Sequence, residues 1–211
     1  MTLQIRPFAD EDLETEIRQR DQREPVNADA DPVKNRALRC PMTSPPFEFH
    51  PLTEARLPML CQWLNRPHLQ QWWREGIISL EAVRQHYLPR IVDPDTAHPY
   101  LALINDQPVG YIQYYRAAEG KVPWWPDQPG PGVLGINQFL ADEDRLGQGL
   151  GTAMVSQFVA RLMQDPGVTE IRVDPRPDNR RAIRCYEKVG FRAVGPITTP
   201  DGPALMMVLA R

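Results

Sequence analysis

The stretch RLGQGLGT, residues 145–152, holds three glycines within five positions, Gly147 to Gly151. How it is read decides the fold. Before it, GVLGINQFLA (132–141) reads as a strand. After it, Gly151 to Met163 carries Met154, Val155, Phe158, Val159 and Leu162 at helical spacing. Glycines at a strand-to-helix turn let backbone N–H groups turn inward and let a bulky anion approach the chain. The positive end of the following helix favours such an anion. Leu146, Gly147, Gln148, Gly149, Leu150, Gly151 and Thr152 are therefore a candidate pyrophosphate cradle, although a plain tight turn could carry the same glycines. The segment is not a P-loop, because no Lys-Ser/Thr pair follows its last glycine. Nor is it a dinucleotide fingerprint, because GxGxxG and a βαβ unit with an acidic ribose partner are missing.

Outward from this loop the pattern alternates. FEFHPL (47–52) has strand periodicity. Thr53 is expected to cap a helix with Leu57, Leu60, Cys61 and Leu64 on one face. Pro67 opens a second helix containing Trp72 and Trp73, and Ser79 caps a third with Leu80, Val83, Tyr87 and Ile91 on one face. PYLALI (99–104) and VGYIQYY (109–115) are two strands joined by the hairpin turn NDQP. An irregular loop, AAEGKVPWWPDQPGPG (117–132), precedes the glycine-loop strand. TEIRVD (169–174) reads as a buried strand, Asn179 to Val189 as a helix, and FRAVGPI and ALMMVLA as closing strands. The order β-ααα-ββ-β-α-β-α-ββ is an α/β arrangement in which helices flank a central mixed β-sheet.

Composition limits the alternatives. The chain has 211 residues, 42% of them hydrophobic and 24% charged, which suits a globular domain with a core of its own. Its net charge of −3 argues against a nucleic-acid-binding basic domain. No run approaches the roughly 18 apolar residues of a membrane span, and the N-terminus has no apolar signal core. Cys40, Cys61 and Cys185 are odd in number and scattered, which fits a reducing cytoplasm rather than a disulfide framework or a cysteine zinc site. No metal site is expected. Residues 1–45 carry nine acidic and seven basic residues and few large apolar ones, so they are expected to be a flexible or poorly packed arm before a single domain at 46–211.

A second motif accompanies the glycine loop. In DNRRAIRCYEKVGF (178–191), Asn179, Ala182, Tyr186, Gly190 and Phe191 stand as N-x2-A-x3-Y-x3-G-F. Together the two motifs, spanning about residues 133–191, resemble the GCN5-related N-acetyltransferase (GNAT) superfamily. Leu146 stands where that family usually has Arg or Gln, a change of little weight where phosphates are held by backbone N–H groups. Further segments, QWLNRPHLQQWW (62–73), HYLPRI (86–91), DQPGPGVLGINQ (127–138), RAIRCYEKVGF (181–191) and TTPDGPALMMV (198–208), are similar to the aminoglycoside 6'-N-acetyltransferases over about residues 47–208. A sister group of siderophore-lysine N-acyltransferases shares part of this pattern. The resemblance implies a GNAT fold, acetyl-CoA as cofactor, and an aminoglycoside as the small-molecule amine substrate of a cytoplasmic monomer or homodimer. It implies a pyrophosphate on the glycine loop and a pantetheine arm beside the strand ending at Leu140, with Asn179 and Arg184 also touching the cofactor. One departure stands out. The resembling enzymes have an aspartate where this chain has Asn137, and their acidic loops are here reduced to Glu75 and Glu119, with Asp174, Asp178 and Asp201 remaining.

Acetyl transfer from a thioester to an amine needs a neutral amine, donors for the thioester oxygen, a proton for the leaving thiolate, and close positioning of the reactants. Tyr186 is the candidate general acid, against the alternative of a core tyrosine. Asp174 is the candidate base, acting through water, against the alternative of a turn-capping residue before Pro175. The backbone of Gln138, Phe139 and Leu140 is the candidate donor to the thioester oxygen. Trp72, Trp73, Trp124 and Trp125 are expected to give one inward ring and one substrate-facing ring per pair. Tyr87, Asn137, Asp174 and Asp201 complete the candidate substrate pocket. Acylation of a siderophore hydroxylysine or another small amine, and a non-catalytic CoA-binding relic, remain open alternatives at this point.

Overall fold

A computed structural model describes residues 45–73, 77–93, 97–119, 124–127 and 129–211. The arm assigned to 1–45 lies outside these residues, Pro45 apart. Seven strands form one mixed sheet: β1 (Glu48–Pro51), β2 (Ala97–Ile104), β3 (Gln107–Arg116), β4 (Val133–Leu140), β5 (Glu170–Val173), β6 (Arg192–Thr199) and β7 (Gly202–Ala210). They lie in the spatial order β1-β2-β3-β4-β5-β7-β6. Among the described residues, five α-helices accompany them: α1 (Leu57–Leu64), α2 (Pro67–Trp73), α3 (Leu80–Val92), α4 (Leu150–Leu162) and α5 (Arg180–Val189). The element order is the one expected from the sequence. Among the described residues, no helix is long and apolar enough to cross a membrane.

Local chemistry accounts for most boundaries. Asn105 and Asp106 both have positive φ, 49° and 61°, the pair of left-handed residues that a tight two-residue hairpin turn between β2 and β3 requires. Ser79 caps α3 by accepting from Ala82 N. Thr53 departs from expectation: it makes no side-chain cap, and a 3-10 turn over Glu54–Arg56 intervenes before α1. Proline 58 in the first turn of α1 costs no hydrogen bond there. The second motif has a plain structural logic. Asn179 Oδ1 accepts from Ala182 N at 3.1 Å and starts α5. Gly190, at φ 113°, ends it, with its N–H returning to Tyr186 O. Phe191 then turns inward, 5.5 Å from the Tyr186 ring.

Alternation along the strands divides the core between the two sheet faces. On one face, Ile112, Leu134, Ile136, Ile171 and Val173 pack beneath Phe158, Val159 and Ile183 of α4 and α5. On the other, Leu101, Leu103, Tyr111 and Phe139 pack beneath Leu57, Leu60 and Val83 of α1 and α3. Leu80 departs from its expected inward face and is exposed.

The feature that places the functional groups is the meeting of β4 and β5. They run parallel and pair only from Val133↔Glu170 to Gly135↔Arg172. β4 continues to Leu140, while β5 ends at Val173, before Asp174 and Pro175. Pro175 has no N–H to extend the ladder and biases Asp174 away from helix. The two strands therefore part, leaving a gap whose edges carry backbone without a neighbouring strand. At the far end of β4, Arg66 donates to Ala141 O at 2.6 Å and pairs with Asp142, and His68 Nε2 contacts Leu140 O at 3.2 Å. The NRPH segment, which follows α1 and opens α2, thus pins the strand end that leads into the glycine loop.

Phe158 is 1% exposed and packs its ring edge against Phe49 and Tyr100. Phe158→Ala should destabilise the protein by about 3–5 kcal/mol in urea unfolding.

Candidate active site

The glycine loop ends β4 and starts α4. Gly147 and Gly149 adopt φ of 75° and 84°, the left-handed region, and nothing among the described residues lies within 4 Å of the position a Cβ would take on either. The loop is thus open to solvent on its outer side. Gly149 is the N-cap of α4. Its carbonyl accepts the first return bond, from Ala153 N at 3.0 Å. The N–H groups of Leu150, Gly151 and Thr152 accordingly have no acceptor within the helix. Gln148 donates to Asp144 O, and Thr152 Oγ1 to Cys185 Sγ at 3.6 Å, which ties α4 to α5 beneath the loop. Leu146 is half-buried against the cluster that contains Leu140, Ala153 and Met154. An open ring of N–H donors at a helix start fits a pyrophosphate.

Phe139 and Leu140 turn their side chains into the cores, leaving only their main chain for a cofactor. Gln138 does more than expected. Its Oε1 accepts from the Tyr186 hydroxyl at 3.2 Å, across the gap between β4 and α5. Burial, reinforced by the neighbouring Cys185 and Asp174, pushes the Tyr186 phenol well above its ordinary range. It is a protonated donor aimed at the gap. Arg184, on the same helix, is exposed. Asn179 is half-buried and spends its side chain on the helix cap.

Asp174 stands at the end of β5. Its Oδ2 accepts from Trp124 Nε1 at 2.6 Å. Burial pushes its carboxyl up from 3.8 to about 6; Asp201 adds to the rise, while the Trp124 and Trp125 indoles oppose it. Trp125 Nε1 is itself buried and makes no hydrogen bond of ordinary geometry with the described residues. Asp201 is exposed in the β6–β7 turn, where its N–H bonds Thr199 Oγ1. Asn137 is half-buried, in register with Gln113, whose own Oε1 accepts from Tyr111 at 2.6 Å.

Two expected substrate residues need correction. Tyr87 is 4% exposed and edge-on to Tyr111 in the core beneath α3, because the α3 face that carries it is the one that packs on the sheet. Trp125 is 3% exposed, packed with Val133, Met206 and Tyr115, so its ring is interior rather than a pocket wall. Its neighbour Trp124 is the half-buried ring of that pair, as the one-in, one-out expectation required. Trp72 is half-buried, with the Arg176 guanidinium 5.9 Å from its ring centre. The Trp73 side chain lies outside the described residues.

Tyr115 escaped the sequence reading. It pairs with Gly135 across β3 and β4. Its ring lies so flat on that glycine that a Cβ there would stand 2.1 Å from Tyr115 Cζ. Burial pushes its phenol well up, and Asp174 and Tyr186 push it further, which places it in their company. Only the strand register reveals which tyrosine of YIQYY faces the gap.

Residues 53–199 match the family model for the acetyltransferase (GNAT) domain, and the chain belongs to that family. Over 162 residues it is 48% identical to the aminoglycoside N(6')-acetyltransferase type 1 of Klebsiella pneumoniae, covering 76% of this chain and 81% of that protein. Among solved structures, AAC(6')-Ib in complex with paromomycin and acetyl-CoA superposes with a TM-score of 0.74 at 46% identity, covering 78% of this chain and 93% of the other. The same enzyme with coenzyme A and kanamycin also gives 0.74 at 46% identity, over 79% and 95%. The fold is the GNAT fold.

The raised Asp174 carboxyl has a thermodynamic consequence. Between about pH 4 and 6 the folded state holds the Asp174 proton more tightly than the unfolded state does, so stability falls as pH rises, and the full cost persists above 6. At about 1.4 kcal/mol per pH unit that cost reaches about 3 kcal/mol. Asp174→Asn should therefore unfold at higher urea than the parent above pH 6. The difference should shrink as pH falls and vanish below the unfolded value of 3.8.

Proposed function

We propose that the protein transfers the acetyl group of acetyl-CoA to the 6'-amine of an aminoglycoside. The observation that carries this reading is the convergence, where β4 and β5 part, of three groups: an open N–H ring at the start of α4, a protonated Tyr186 phenol, and an Asp174 carboxyl that titrates near neutrality. The similarity to enzymes whose structures hold acetyl-CoA, paromomycin or kanamycin supports the substrate class.

Each side chain then has a task. The N–H groups of Leu150, Gly151 and Thr152 hold the pyrophosphate, helped by the dipole of α4. When bound, acetyl-CoA supplies the acetyl group on a thioester. The main chain of Gln138–Leu140 lies along the open edge of β4, where N–H groups can meet developing charge on the thioester oxygen. Tyr186, held by Gln138, gives its proton to the departing sulfur. Asp174 takes the proton of the incoming ammonium, directly or through water; a carboxyl near 6 is ionised at neutral pH yet basic enough for the exchange. Asn137 contributes a carbonyl acceptor but no charge. The base duty therefore rests on Asp174, with Asp201 adding negative potential for a polycation.

The test is coupled CoA release measured across a panel of aminoglycosides and simple amines. Kanamycin should turn over and simple lysine-like amines should not; the reverse preference would refute the substrate assignment. Tyr186→Phe keeps the ring packing and should lower kcat by about ten- to a thousandfold with little change in KM. Parental turnover in that variant would reduce Tyr186 to packing. Gly149→Asp adds a carboxylate and a side chain at a left-handed position. It should weaken acetyl-CoA binding more than about tenfold by calorimetry, about 1.4 kcal/mol.

A further inference from the structure

We propose that Arg172 is a positioning residue that fixes the Trp124–Asp127 segment on β5 and so sets where Trp124 presents its indole N–H to Asp174. Arg172 sits two residues before Asp174 and, by strand alternation, on the same sheet face. It pairs across β4 with Gly135, the glycine covered by Tyr115. Its NH1 donates to both carboxylate oxygens of Asp127, at 2.8 and 2.7 Å. Its Nε donates to Glu170, and its guanidinium lies 5.2 Å over the Trp125 ring.

The arrangement is graded by burial. The Arg172 side chain is 13% exposed and Asp127 is 53% exposed. The interior end is therefore a cation stacked on a buried aromatic, where such contacts are strongest. The outer end is a carboxylate at the surface, where an ion pair adds little stability. A contact with little to offer stability but with two oxygens and one ring in fixed relation acts on geometry. Trp124, Trp125 and Asp127 lie within four consecutive residues, and β5 with the residue after it holds all three: Trp124 through Asp174, Trp125 and Asp127 through Arg172. The planar guanidinium lies over an indole while NH1 grips one carboxylate and Nε a second; an ammonium has one nitrogen and no plane for this.

The inference rests on the reading that Asp174 serves the acceptor amine, but its test does not. The full-length protein is labelled with 15N-tryptophan, and the Trp124 indole resonance is assigned by its loss in Trp124→Phe. Arg172→Met keeps an apolar stem over Trp125 and removes the fork. It should shift the Trp124 resonance and raise the kanamycin KM about five- to tenfold, with the acetyl-CoA KM unchanged within about twofold. Arg172→Lys should recover less than half of the lost kanamycin affinity. Asp127→Asn, at the exposed end, should give the same pattern in milder form with an unchanged urea midpoint, and it stands in if Arg172→Met does not fold. An unmoved Trp124 resonance with an unmoved kanamycin KM in the folded variants overturns the proposal, as does full recovery with lysine. If Asp174→Asn keeps parental activity, the catalytic reading of Asp174 fails while the Trp124 resonance still decides the role of Arg172.

Discussion

Everything functional in this protein depends on β4 and β5 ceasing to pair after three residues. A parallel pair that continued would satisfy both strand edges and close the sheet. Here Pro175 removes a donor and redirects the chain, and Asn179 starts α5 four residues later. β4, held at its far end by Arg66 and His68, runs on to Leu140 paired only with β3, its other edge open. Backbone groups along that edge need a partner, and a gap flanked by a helix start supplies room for a ligand to be one. The Tyr186 hydroxyl reaches Gln138 because α5 lies over the gap; Asp174 faces it because β5 ends there.

That constraint explains which parts of the molecule could be read from residues alone. The glycine loop, the Asn179 cap and the Gly190 stop are local: each is a backbone problem solved by its own side chain, or by the lack of one, within a few positions. The strand and helix order follows from periodicity for the same reason. Tyr115, Arg172 and the Arg66–Ala141 contact are not local. They depend on strand register or on contacts between residues dozens of positions apart, and YIQYY alone offers no way to tell which tyrosine meets Asp174. Tyr87 shows the opposite error. It lay on the helix face expected to turn inward, and that face packs on the sheet rather than lining a pocket.

The paired tryptophans combine both cases. Their adjacency implies that one ring faces in and one out, since consecutive side chains cannot share a burial site. The inward one is Trp125, packed with Val133 and Met206 and covered by the Arg172 guanidinium of β5. Trp124 is then free to reach Asp174, a contact that stabilises the carboxylate against the cost of burial.

Asn137 gains meaning in this light. An acid there would stand in register with Gln113, on the sheet face that Asp174 also shares by strand alternation. Each further carboxylate would raise the others, as Asp201 already raises Asp174. A neutral amide at position 137 spares Asp174 that added push, so its carboxyl stays near 6 rather than higher and is ionised at neutral pH. Under the function proposed above, the base is then Asp174 alone, a carboxylate that burial raises, that two indoles hold down, and that stands where β4 and β5 part.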